Sequence, residues 1–151
     1  YEISACLVGS EMCIRDSFDA LNALYEKYGW YAEKTHNLVM PGLDGLRDMA
    51  KLMKDLRENP PTEISGVKVI VRKDYTDGSV IDCVTGARSS MELSGSNVLR
   101  YELADGTVIL VRPSGTEPKL KGYLFARGEN QAAAEKVLDE LETLMNGYCK
   151  E

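Results

Sequence analysis

Residues 97–113 read NVLRYELADGTVILVRP, and their period decides the fold class. Leu99, Tyr101 and Leu103 alternate with polar neighbours, which places them on one face of a strand. Asp105-Gly106 then makes a turn, and Val108 opens a second β-branched run. Strands joined by so short a turn pair antiparallel, because a parallel return needs a long crossover.

The same alternation extends outward. VKVIVRKDY from Val67 reads as a strand, Asp77-Gly78 as a turn, and SVIDCV as the strand after it. Residues 86–96, GARSSMELSGS, read as a connecting loop despite the serines at 89, 90, 94 and 96. Residues 119–127 alternate again. Helical spacing marks residues 130–148, with Ala134, Val137, Leu138, Leu141, Leu144, Met145 and Tyr148 inward. It also marks residues 43–58, with Leu46, Met49, Ala50, Met53 and Leu56 on one stripe and Asn59-Pro60-Pro61 as the stop. His36 to Met40 reads as a short strand. FDALNALYEKYGWY, residues 18–31, reads as a helix carrying Phe18, Leu21, Tyr25 and Tyr28, with Gly29 as its stop. The expectation is an α+β fold: an antiparallel sheet of about four strands with helices packed on one face.

With 151 residues, 44% hydrophobic and 28% charged, the chain is long enough for one buried core. No apolar run approaches the roughly 18 residues of a membrane span. The N-terminus has no basic stretch followed by an apolar core, so no secretion signal is read there. Cys6, Cys13, Cys83 and Cys149 lack CxxC spacing and read as free thiols, which fits a cytoplasmic protein. A net charge of -6 argues against nucleic acid or anionic membrane as the partner.

Against that charge, VRPSGTEPKLKGYL, residues 111–124, gathers Arg112, Lys119 and Lys121 around one turn. Pro113 fixes one backbone angle, and Gly115 permits a tight or left-handed turn. Ser114 and Thr116 offer hydroxyls, and successive turn amides can converge on one concavity. Arginine brings a planar fork for phosphate or carboxylate, and lysine a point charge. Glu117 can orient Arg112 or Lys119. The pattern is an anion cradle, set against the alternative of a charged turn with no ligand. It lacks Walker-loop spacing, and no helix follows it. Ser114 is rejected as a nucleophile, since no pattern places a base beside it and the only histidine is His36. His36 itself reads as structural.

RPSGTEPKLKGY resembles the C-terminal phosphate-binding signature of the alpha-D-phosphohexomutases, the phosphoglucomutase and phosphomannomutase family. HNLVMPGLDGLRDMAKLMKDLRENPP, the strand VKVIVRKDY, the two Asp-Gly turns and the last helix resemble that family's fourth domain. FDALNALYEKYGWY resembles the helix ending its third. The resemblance implies a terminal helix of a sugar-binding domain over 18–31 and a phosphate-binding domain over 32–151. It implies phosphate-gripping roles for Arg112, Ser114, Gly115 and Thr116, with Lys119 beside them and Glu117 and Lys121 in support. For a full-length parent it implies a phosphoserine, magnesium and a sugar bisphosphate intermediate, interconverting hexose 1- and 6-phosphates. No phosphoserine motif or DxDxD metal loop occurs in these residues. The expectation is therefore a fragment without catalytic residues, metal or cofactor of its own, inactive alone. Its expected partners are a phosphohexose, held by its phosphate, and the missing first to third domains.

Residues 1–17 fit least. Glu2, Ser4 and Leu7-Val8-Gly9 resemble the family's sugar loop only in part, and LVGSEMCIRDS resembles translated sequencing-adapter read-through. No sugar site is assigned there, and residues 1–16 are expected to be poorly ordered or packed only locally. Two rival readings stand beside the fragment: a free-standing phosphate- or phosphosugar-binding domain, and an RNA-binding α+β module. The face carrying Tyr123 and Phe125 separates them. Buried against helices, it favours the fragment; open and ringed by cations, it favours RNA.

Overall fold

A computed structural model describes residues 16–42 and 44–148. The expectations for residues 1–15 lie outside the described residues. Residues 16–28 are helical (α1), so Asp16 and Ser17 already belong to the helix and it stops before Gly29. Then follow β1 (Trp30–Val39), α2 (Gly45–Glu58), β2 (Glu63–Ile64), β3 (Val67–Asp74), β4 (Ser79–Asp82), β5 (Arg88–Ser90), β6 (Leu99–Leu103), β7 (Val108–Pro113), β8 (Lys119–Gly128) and α3 (Gln131–Gly147).

Seven strands form the order β1-β8-β7-β6-β3-β4-β5, and β2 pairs with β3 off that path, giving eight. Every pairing is antiparallel. The α+β reading holds, and the count of about four strands is corrected. The runs read above already make six with the short piece at His36 to Met40, so about four was low from the start, and β2 and β5 complete the eight. β1 is ten residues long rather than a short piece, because Trp30 to Val39 all pair with β8 while Glu33 and Lys34 interrupt the apolar pattern. β5 is fully exposed, so Arg-Ser-Ser carries no alternation to read and hides inside the expected loop. β2 has only two residues.

The helices cover one face. Along β8, Leu120, Gly122, Leu124 and Ala126 are buried, and the residues between them are not. Leu99, Tyr101 and Leu103 of β6 share that buried side with Met49 and Met53 of α2 and with Leu138, Leu141 and Met145 of α3. This core is what the amphipathic patterns specify, and removing its apolar area from water is the main favourable term. The Tyr101 hydroxyl donates to the Leu56 carbonyl at 3.1 Å, tying the end of α2 to the sheet, and burial pushes its pKa up to about 12.

The turns behave as their residues require. Asp77 and Asp105 accept the amides of Ser79 and Thr107, and Gly78 and Gly106 take positive φ. α3 is capped by Asn130, whose side chain accepts the Ala133 amide at 2.9 Å. Lys34 and His36 on β1 both reach Glu142 of α3, at 2.6 and 3.2 Å. Lys34 and His36 hold the Glu142 carboxyl below the usual carboxylate range.

Candidate functional site

Pro113 closes β7 with Arg112 just before it, and Lys119 opens β8, so residues 114–118 are the connection between two inner strands. The Ser114 amide donates to the Lys119 carbonyl at 2.9 Å, and Lys119 donates to the Glu117 carbonyl at 2.7 Å. The loop is also held from outside. The Met40 amide donates to the Pro118 carbonyl at 2.9 Å. A Cβ at Gly45 would run into the Met40 carbonyl and the Pro118 ring. Glycine at the first position of α2 therefore lets that helix close onto the loop.

Register sets the charges. Arg112 lies directly opposite Lys121, and Lys121 opposite Asn37 of β1. Like charges facing each other across a strand pair are unfavourable without a counter-charge. Among the described residues neither Arg112 nor Lys121 makes a close ion pair with a carboxylate, although the Lys121 charge also helps to lower Glu117. Lys119 differs: its ammonium pairs with Glu117 and holds that carboxyl below its usual range. Of the two roles read for Glu117, orienting Lys119 is the one the geometry displays.

Of the tight or left-handed turn read for Gly115, the left-handed form is not the one found, and a Cβ there would meet nothing within 4 Å. Neither turn geometry nor packing within the chain demands glycine at this place. What remains is the room it leaves for something outside the chain to approach the backbone.

Arg112, Ser114 and Gly115 line a cleft whose other walls are Met49 and Met53 of α2 and residues 96–98. Thr116, Glu117, Lys119 and Lys121 are not part of that lining. Ser96, Asn97 and Val98 were read as loop and strand start, and their place on the cleft follows from pairing rather than from any local motif. Tyr75 donates to the Val98 carbonyl and Ser96 to the Tyr75 carbonyl, both at 3.0 Å. Among the described residues the Ser114 hydroxyl has no side-chain partner, and His36 is engaged with Glu142. The magnesium implied for a longer chain finds no ligand set among the described residues. Cys83 is an exposed free thiol; the other three cysteines lie outside the described residues.

The face bearing Tyr123 and Phe125 is not buried against helices. Phe125 is 38% exposed, because its parity along β8 is opposite to that of Leu120 and Leu124. Cations do stand on it: Lys121 and Arg127 flank Tyr123 and Phe125 at two-residue spacing along β8, Arg112 lies opposite Lys121, and Arg100 lies opposite Leu110, which itself faces Tyr123. Acids stand among them, with Glu33 opposite Phe125 and Glu102 paired to Lys73 and Arg100. The face is open, as the RNA reading requires, and of mixed charge rather than a ring of cations.

Residues 36–144 match the C-terminal domain of phosphoglucomutase/phosphomannomutase. The chain belongs to that family. A phosphoglucomutase of Staphylococcus aureus (strain bovine RF122 / ET3-1) is 35% identical over 112 residues, 74% of this chain and 20% of the relative. That of Staphylococcus haemolyticus is 37% identical over 112 residues with the same coverage, and that of Staphylococcus saprophyticus 31%. The chain thus spans about a fifth of the length of the phosphoglucomutases it matches. The matched region contains β1 from His36 onward, both core helices up to Leu144 of α3, and the whole loop from Arg112 to Lys121. A phosphate- or substrate-binding role for a domain of this family fits that loop. Among the described residues no helix is long and apolar enough to cross a membrane.

Proposed function

We infer that this chain supplies the substrate-phosphate clamp of a cytoplasmic hexose-phosphate mutase. The observation that carries the reading is the facing pair Arg112 and Lys121, two cations in register with neither in a close ion pair, beside a loop whose glycine leaves open space. A phosphate dianion there would relieve the repulsion and gain charge-assisted hydrogen bonds. Arg112 grips two phosphate oxygens with its fork, and Ser114 and Thr116 donate hydroxyls. Gly115 lets the backbone approach, and Lys119, released in part from Glu117, adds a point charge.

The reaction proposed for the full-length enzyme interconverts hexose 1-phosphate and 6-phosphate. Phosphoserine and magnesium belong to the domains that a longer chain would contribute, and no residue here moves the phosphoryl group. The clamp orients the sugar by its distal phosphate, so the other end meets the phosphoryl donor. Orientation of this kind removes much of the entropic barrier. Without the other domains the chain binds weakly and turns nothing over.

Backbone amide shifts during titration with inorganic phosphate, glucose 6-phosphate and an RNA oligonucleotide test the reading. Shifts confined to residues 112–121 and the cleft walls are expected with both phosphates. Arg112→Ala should weaken them about tenfold, as loss of a charge-assisted contact does. Shifts spread over the open sheet face with the oligonucleotide alone would overturn the clamp.

A further inference from the structure

Arg57, in the last turn of α2, joins both walls of the cleft. Its Nε donates to Asp74 Oδ2 at 2.8 Å, and its Nη1 donates to the Met53 carbonyl of its own helix at 3.4 Å. Its Nη2 donates to Thr76 Oγ1 at 3.0 Å and to Asn97 Oδ1. Asp74 in turn accepts the Thr76 amide at 2.8 Å. The side chain is about three-quarters covered, and its guanidinium meets acceptors from α2, β3, the turn after it, and the segment leading into β6.

This hub fixes one side chain in a way that does not depend on how an amide is drawn. A guanidinium has only donors, so the atom of Asn97 facing it must be the oxygen. The amide nitrogen, with two N–H donors, is thereby turned away from Arg57. Among the described residues that nitrogen has no partner. Asn97 lines the same cleft as Arg112, Ser114 and Gly115, and it precedes Leu99, which pairs with Val111 just before Arg112. A donor turned away from Arg57 on the wall of that cleft can add to a phosphate's coordination beside the loop.

We propose that Asn97 is a further binding residue of the clamp, its amide nitrogen donating to a phosphoryl oxygen, and that Arg57 is the positioning residue that aims it. The proposal rests on the clamp reading above. It also gives the segment before β6 a task that its sequence, Ser-Asn-Val, does not announce.

The test uses this chain, inorganic phosphate and glucose 6-phosphate, with dissociation constants read from amide shifts. Asn97→Ala should weaken both ligands about fivefold, the loss of one net hydrogen bond. Asn97→Asp should weaken them more, because the new carboxylate repels the anion while still pairing with Arg57 and holding the loop. Arg57→Lys keeps the charge beside Asp74 and loses the fork. It should weaken phosphate binding in the wild-type background and have no further effect in Asn97→Ala. Unchanged affinity in both Asn97 variants, with Arg112→Ala still weakened, overturns this inference and leaves the clamp standing. A loss seen with glucose 6-phosphate and absent with inorganic phosphate overturns the assignment to a phosphoryl oxygen. Equal losses from Arg57→Lys in both backgrounds overturn its positioning role. Wild-type chain that binds neither ligand overturns the clamp and this inference together.

Discussion

Helices α1 and α3 carry the same kind of apolar stripe and meet opposite fates. In α3, Ala134, Leu138, Leu141 and Met145 are buried against β1 and β8. In α1, Phe18, Leu21, Leu24 and Tyr28 are 44–61% exposed, and Tyr25 stacks on the Trp30 ring at 4.3 Å. Period tells that a segment is a helix with one greasy side. It does not tell whether a surface in the same chain covers that side. Two glycines beside the cleft repeat the contrast at the scale of one atom. Gly45 is covered, with no room for a Cβ, and Gly115 is uncovered, with nothing near it.

Truncation separates the covered from the uncovered. Leu141→Ala, in a side chain 2% exposed, should cost about 2–5 kcal/mol in chemical denaturation, since transfer and cavity terms add. A cost no larger than that of an exposed leucine would break the comparison. Gly45→Ala comes next, at about 1–3 kcal/mol, because a methyl there must push the Met40 carbonyl or the Pro118 ring.

A smaller effect tests what locks α3 to β1. Because Lys34 and His36 hold Glu142 below its ordinary value, its stabilising contribution is full above the unfolded carboxylate range. It is lost as pH falls through the depressed folded value. Lys34 is raised, chiefly by its hydrogen bond to Glu142, so its share is full below the ordinary lysine value and is lost above the raised one. Melting curves in the acid window should fall more steeply for the wild type than for Glu142→Gln. Parallel curves would mean that the pair is spectator charge. The smallest effects belong to the uncovered group. Leu24→Ala and Gly115→Ala should each leave stability within about 0.5 kcal/mol. Gly115→Ala should nonetheless weaken phosphate binding, which splits folding from function at one position.

The same contrast explains what was legible beforehand. The core strands β3, β6, β7 and β8 and helices α2 and α3 announce themselves because one face is buried, and burial writes a period. β1 and β5 lie at the sheet's two edges. Glu33 and Lys34 break the run in the first, and Arg-Ser-Ser gives the second none. At the site, the loop from Arg112 to Lys121 was visible because its residue types are unusual together in an acidic chain. Asn97 was not, because what matters there is which atom faces Arg57 forty residues away.

The pairing of β1 with β8 bears on how the chain comes together in time. Trp30 meets Gly128 and Val39 meets Lys119, so the first strand waits for the last. Closing a loop of that length is slow, and on a ribosome β1 emerges well before its one strand partner exists. For that interval its ten residues are an open edge, the state most prone to pair with a second nascent copy. Glu33 and Lys34, adjacent at mid-strand, put charge on both faces of that edge. The residues that blurred the strand's signature thus place charge where an unpaired edge most needs it.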